Sequence, residues 1–167
     1  MVVTKDLPSK APAIKRYIED GGTFLGVCGG FQLLGDYFVL ADGTRVEGIK
    51  AMMHYTLNQP NGRFIGNVTI EDPTNGDIYH GFENHQGRTF LDEQERPLGM
   101  VKQGKGNNGE DGGEGLVYKN TYGTYFHGPI LTRNGNLALR MLQKMLERRY
   151  PNVDWASRVS EIEPEFY

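Results

Sequence analysis

The sequence predicts an α/β fold, and two observations carry the prediction. A helical pattern, a short apolar run and a second helical pattern follow one another within residues 8–40, the alternation that lays helices against a sheet. The middle of the chain then alternates apolar and polar residues, as strands do, before an amphipathic segment near the end. Taken in order, Pro8 and Ser9 open SKAPAIKRYIEDGG, where Ile14, Tyr17 and Ile18 recur at helical spacing and Gly21 supplies the stop. TFLGV is short and apolar throughout, which predicts a strand buried on both faces. GGFQLLGDYFVL begins the next helix, with Phe31, Leu34 and Phe38 on one side. RFIGNVTIE (63–71) and RTFL (88–91) read as strands around GFENHQG. A glycine-rich loop, GKGNNGEDGGEG (104–115), leads to two β-like runs, LVYK and TYGTYFH, which meet at Asn120. NGNLALRMLQKMLERRY places Leu137, Met141, Leu142 and Met145 at a period of 3.6, a helix. The tail from Pro151 to Tyr167 reads as surface helix or loose end. No repeat and no linker interrupts the run, so 1–167 is read as a single domain.

Composition narrows the function classes. A chain of 167 residues is long enough to bury roughly 68–70% of its unfolded surface. It carries 23 glycines, about twice the usual share of ≈ 7%, dispersed in GG, GN and NG pairs that imply tight turns and close backbone approaches. A formal charge of −3 and a pI near 5.8 leave no basic footprint for nucleic acid or an anionic membrane. No apolar stretch approaches the ~20 residues a membrane span needs. MVVTKDLPSK lacks the apolar centre of a secretory signal. One cysteine cannot form an intrachain disulfide, so the expected setting is reducing and cytoplasmic.

That cysteine, Cys28, lies in FLGVCGGFQLLG (24–35). A lone cysteine is ordinarily a small buried apolar residue. Here a strand meets a Gly-X-Cys-X-Gly turn that runs directly into a helix, the layout of a nucleophile elbow. Gly26 and Gly30 clear the bend of side chains, and the helix start favours a thiolate. A cysteine nucleophile needs a proton acceptor, usually histidine. Of His54, His80, His85 and His127, the last is best placed, ending an apolar strand just before Gly128-Pro129, where catalytic groups of α/β sheets collect. His85 is the second choice, and His54 and His80 read as ordinary loop residues. No spacing suits a metal site. The 104–115 loop lacks the lysine of a phosphate loop and the acid spacing of a calcium loop, so a partner-facing or site-covering role is expected.

Four segments in this order, GVCGGFQLLG, GFENHQGRT, GNNGEDGGEG and GTYFHGPIL, carry a resemblance. Together they resemble the GatD-type subunits within the cobyric-acid-synthase-like branch of class I glutamine amidotransferases, over about Val2 to Tyr150. The resemblance implies a three-layer sandwich with a largely parallel central sheet, from which N-terminal strands of the family are missing. It implies that Cys28 attacks the side-chain amide of free glutamine and that His127 is general base and acid. Arg63 would hold the substrate, its guanidinium fork suiting the α-carboxylate. Gln32 would lie near the bound glutamine, with Asn84 and Gln86 weaker candidates, and the Gly29 amide would serve the oxyanion.

The implied partner is a MurT-like Mur ligase subunit in a heterodimer, which spends ATP to amidate the D-glutamate of lipid II in peptidoglycan synthesis. This chain itself has no ATP motif and no expected cofactor or metal. Two departures from the family pattern shape further expectations. The absent front would have completed the oxyanion hole, so weak or no glutaminase activity is expected of this chain alone. Pro129 stands where the family commonly has a triad glutamate, leaving a Cys/His dyad whose carboxylate comes from elsewhere in the chain or from the partner. The alternatives are a non-catalytic binding module and an amidotransferase for another acceptor, such as a corrinoid precursor.

Overall fold

The computed structural model describes residues 2–164, with side chains from residue 6 onward; the last three residues of the expected tail lie outside the described residues. In chain order the elements are α1 (Val2–Glu19), β1 (Phe24–Val27), α2 (Gly29–Leu34), β2 (Tyr37–Val39), β3 (Arg45–Glu47), β4 (Tyr55–Asn58), β5 (Phe64–Glu71), β6 (Ile78–His85), β7 (Gly87–Phe90), β8 (Gly99–Gln103), β9 (Gly113–Glu114), β10 (Leu116–Tyr118), β11 (Thr121–Thr124), β12 (Phe126–His127), α3 (Ile130–Arg133), α4 (Gly135–Arg149) and α5 (Trp155–Ser160).

The helix expected to open at Pro8 starts earlier and runs through both Pro8 and Pro12. Each interior proline removes a hydrogen bond and costs about 3 kcal/mol. The segment stays helical because Leu7, Ala11, Ile14 and Ile18 fall on one stripe and pack into a core with Phe31, Leu34 and Leu116. Burial of that stripe offsets the prolines. Gly21 ends the helix at φ 77°, with Gly22 N–H donating to Tyr17 O at 2.8 Å, the conformation that favours glycine.

β1 is packed on both faces but, at the sheet edge, only Gly26 is fully buried and its neighbours are half-buried. Leu25 and Val27 pack towards α4 with Tyr122, Leu137 and Met141, while Phe24 packs towards α1 and α2. The β1-β11-β10 sheet therefore lies between α1 and α2 on one side and α4 on the other. This is the three-layer arrangement of the α/β class. Two glycines permit the close stacking. A Cβ on Gly123 would sit 2.3 Å from the Phe31 ring, and one on Gly26 would sit 2.9 Å from Leu34.

The strand directions differ from the expectation of a largely parallel sheet. Among the described strands, β1 with β11 and β2 with β4 are parallel. The remaining ladders, including the five-stranded sheet β12-β6-β5-β8-β9, are antiparallel. The reason is connection length: β5 and β6, and β10 and β11, are joined by short turns, whereas a parallel neighbour needs a crossover of about a dozen residues or more. GGFQLLGDYFVL likewise splits, its helix stopping at Leu34 and its second half forming β2.

Candidate active site

Cys28 is set by the junction it occupies. β1 ends at Val27 and α2 begins at Gly29, so the single residue between them absorbs the whole change of direction. It does so at φ 51°, ψ −109°, a left-handed conformation that is strained for a side chain. Its N–H donates to Thr124 O at 2.8 Å and its C=O accepts from Gln32 N–H at 3.0 Å. The elbow predicted from glycine spacing is thus present, and the thiol is half-buried. Burial pushes the Cys28 thiol up, against the Gly29 N–H and the Arg63 charge, which both favour the thiolate. The helix start was expected to prevail; α2 has only six residues and desolvation outweighs it.

The register carries His127 to the same end of the sheet. Val27 is the partner of Thr124 in the parallel β1–β11 pair, so Cys28 and the run Tyr125-Phe126-His127 leave the carboxyl ends of neighbouring strands. β12 then pairs with β6 in the five-stranded sheet, with Phe126 opposite Glu83 and His127 opposite Phe82. His127 is half-buried, and its Nε2 is buried without a hydrogen-bond partner among the described residues. Cys28 and His127 thus share a strand-end position without a hydrogen bond from that nitrogen, and catalytic contacts commonly close only around substrate. None of the ion pairs found among the described residues engages His127.

The substrate-binding candidates converge in part. Arg63, exposed at the start of β5, donates through Nη1 to Asn84 Oδ1 at 2.6 Å and to Asn84 O at 3.3 Å, and its charge acts on both Cys28 and His85. Asn84 is therefore the support of Arg63. Gln32 donates through Nε2 to Tyr125 Oη at 3.1 Å, whereas Gln86 turns away and donates to Pro60 O. The Gly29 N–H favours the Cys28 thiolate.

The other histidines are structural in this arrangement. His85 Nδ1 lies 2.8 Å from Gly87 O, which requires Nδ1 to donate and leaves the lone pair on Nε2. Its ring stacks on Tyr125 at 3.6 Å and meets Phe64 edge-on. Burial, with Arg88, His127 and Arg63 adding, lowers its pKa to about 4. A base that weak suits packing rather than proton transfer near neutral pH. His54, read as a loop residue, is fully buried, with Nε2 3.0 Å from Phe31 O. His80, also read as a loop residue, instead stands within β6 opposite Thr69, exposed and 3.2 Å from its hydroxyl through Nδ1.

Sequence reasoning missed the hydroxyl chain beneath the thiol. Tyr125 Oη lies 2.6 Å from Thr89 Oγ1, which lies 2.7 Å from Thr56 Oγ1; burial raises Tyr125 to about 12. A signal existed, since Thr89 and Tyr125 both stand in the quoted motifs. The 104–115 loop is half exposed, through Lys105, Gly109, Glu110 and Asp111, and half buried. Asn107, Asn108 and Glu114 are buried, and Asn107 exchanges side-chain hydrogen bonds with the Gly115 backbone at 2.8 and 2.9 Å. Among the described residues no group of three or more His, Cys, Asp or Glu could hold a metal ion, and no helix is long and apolar enough to cross a membrane.

A cysteine on a strained strand–helix elbow, with a histidine three residues beyond the end of the adjacent parallel strand, has the residue types of a thiol nucleophile and its proton acceptor. Residues 2–135 match the CobB/CobQ-like glutamine amidotransferase domain, and the chain belongs to that family. Among curated relatives it is 54% identical over 149 residues to the GatD subunit of the glutamine-hydrolyzing lipid II isoglutaminyl synthase of Streptococcus pneumoniae, covering 89% of this chain and 57% of the relative. The corresponding Staphylococcus aureus subunit is 45% identical over 148 residues, covering 89% and 59%. A probable cobyric acid synthase of Methanothermobacter thermautotrophicus is 37% identical over 117 residues, covering 62% and 23%. The chain therefore spans under three fifths of the length of the two GatD subunits.

Proposed function

We propose that this chain is the glutamine-hydrolysing part of a lipid II isoglutaminyl synthase. Cys28 and His127 release ammonia from glutamine, and a MurT-like, ATP-dependent ligase subunit uses it to amidate the D-glutamate of lipid II. The observation that carries the reading is Cys28, held at positive φ on the elbow with His127 arriving from the neighbouring strand end. The higher identity to the two GatD subunits than to the cobyric acid synthase favours lipid II over a corrinoid acceptor. Glutamine and ATP are cytoplasmic metabolites, and we place the reaction there.

The chemistry follows from the resting thiol. Because burial holds Cys28 largely protonated, His127 removes the proton as sulfur attacks the side-chain carbonyl of glutamine. The developing oxyanion meets the Gly29 N–H. His127 returns the proton to the departing nitrogen, ammonia leaves, and a γ-glutamyl thioester remains on Cys28. Water, deprotonated by His127, hydrolyses the thioester to glutamate. Arg63, braced by Asn84, takes the α-carboxylate. The orienting carboxylate for His127 comes from the partner subunit, since Pro129 occupies the usual position.

Glutamate release, measured with and without the ligase subunit, tests this. Wild type is stimulated by the partner, and both Cys28→Ser and His127→Ala lower the rate by at least about 10²-fold, the scale of a lost acid–base group. Full activity in either variant refutes the assignment. An unreactive Cys28 towards iodoacetamide near neutral pH would support a non-catalytic module instead.

A further inference from the structure

We infer that Glu114 is a positioning residue for the candidate site, building the break between β11 and β12 that delivers His127 and steadying, through Thr124, the backbone of Cys28. The inference rests on the glutaminase reading above. The run from Thr121 to His127 is continuous in sequence but belongs to two sheets: β11 pairs with β1 and β10, and β12 pairs with β6. The change of sheet falls at Tyr125, outside both strands. A fully buried amide at such a break needs another acceptor.

Glu114 supplies it. Oε1 accepts from Tyr125 N–H at 2.7 Å, and the two carboxylate oxygens lie 3.1 and 3.2 Å from the Thr124 hydroxyl, which donates to them. With its proton directed to Glu114, Thr124 Oγ1 is free to accept, and it takes Phe126 N–H at 3.0 Å. Both amides leaving β11 are thus satisfied by side chains. The Thr124 carbonyl meanwhile holds Cys28 N–H at 2.8 Å. One carboxylate therefore reaches both reacting groups through the backbone.

The placement runs against desolvation. Glu114 is 1% exposed, and among the described residues no ion pair includes it. Burial raises it to about 8, with nearby Glu83 adding in the same direction. An acid kept in such surroundings is a local conflict of the kind that collects at functional sites. The glycine-rich loop sets it there. Asn107 binds the backbone of Gly115 beside it, and Asn107 O receives Thr89 N–H at 2.9 Å. The same loop caps Glu83, the partner of Phe126, with the Lys105 and Gly106 amides.

The test is the rate at which the chain, assembled with its ligase subunit, is labelled at Cys28 by 6-diazo-5-oxo-L-norleucine, a diazoketone analogue of glutamine, with labelled sites per molecule of this chain read by denaturing intact mass. Glu114→Ala slows labelling by about 10²-fold, the loss expected of a misplacement of about 1 Å, while one site per molecule still reacts. Glu114→Gln, which keeps an acceptor for Tyr125 N–H, recovers most of the rate. Thr124→Val is isosteric and guards against misfolding of the alanine variant; it slows labelling about 10-fold. Wild-type rates in Thr124→Val overturn the inference, as does a Glu114→Ala sample in which fewer molecules react but each reacts at the wild-type rate. A wild type that takes up iodoacetamide but not the analogue refutes the glutaminase reading itself, a separate result.

Discussion

Gly123→Ala probes the contact between the nucleophile's helix and its sheet. The added methyl would lie 2.3 Å from Cδ2 of Phe31 and 2.7 Å from Cε2. The ring cannot swing clear, because it is fully buried, edge-on to Tyr125 at 5.4 Å and tilted against His54 at 4.7 Å. The strain is relieved by lifting the first turn of α2 from β11, at a cost of about 1–3 kcal/mol for overpacking. For a domain of this size that lowers Tm by about 2–12 °C, taking about 2–4 °C per kcal/mol. Since α2 starts directly after Cys28, the labelling rate of the thiol by the glutamine analogue falls as well. Calorimetry on Gly123→Ala, Phe31→Leu and the double variant isolates the clash. The double variant should be more stable than the sum of the single losses by about 0.5–3 kcal/mol, the coupling expected of touching residues. Additive losses, or an unchanged Tm in Gly123→Ala, would refute the packing argument.

Two further predictions follow from the charges. Arg63→Ala should raise KM for glutamine about 10- to 100-fold with kcat little altered, the loss of a charge-assisted hydrogen bond made equally in ground and transition states; an unchanged KM would remove Arg63 from the binding site. Stability should depend on pH through two buried groups of opposite sign. His85, lowered from 6.5 to about 4, binds its proton more readily when unfolded, so stability falls as pH drops from 6.5 towards 4, by about 3 kcal/mol. Glu114, raised from 4.5 to about 8, releases its proton more readily when unfolded, so stability falls as pH rises from 4.5 towards 8. Their effects oppose between 4.5 and 6.5, leaving Glu114 to dominate above. Urea titrations of His85→Gln and Glu114→Gln at pH 4.5, 6.5 and 8 separate them, and parallel pH curves for all three proteins would contradict both assignments.

Much of the site was legible in the linear sequence because its determinants are local. The elbow at Cys28 needs a small residue where strand and helix cross and a helix directly behind it, and Gly26 and the GGFQLL run meet those needs within a few positions; Gly30 does not share that role, since a Cβ there would meet nothing within 4 Å. His127 was legible as a strand-end residue from TYGTYFH and the Gly-Pro that follows. Other readings failed where the deciding contact is distant. Pro8 argued for a helix start, but the apolar stripe from Leu7 to Ile18 finds its partners in Phe31 and Leu116. His54 does stand in the loop before β4, but its ring is buried under α2 rather than turned to solvent.

The order of residues determined the α/β class, the elbow and the residue that stands on it, since backbone strain, glycine clearance and helix onset act over a handful of neighbouring positions. Tertiary structure alone decided that most strands pair antiparallel, that burial pushes the thiol towards its protonated form, and that the Arg63 charge acts on it. It also drew the acid of the glycine-rich loop under Tyr125, eleven residues and a change of sheet away. Pairing, desolvation and charge coupling depend on distances in space, and those exist only once segments far apart in the chain have packed together.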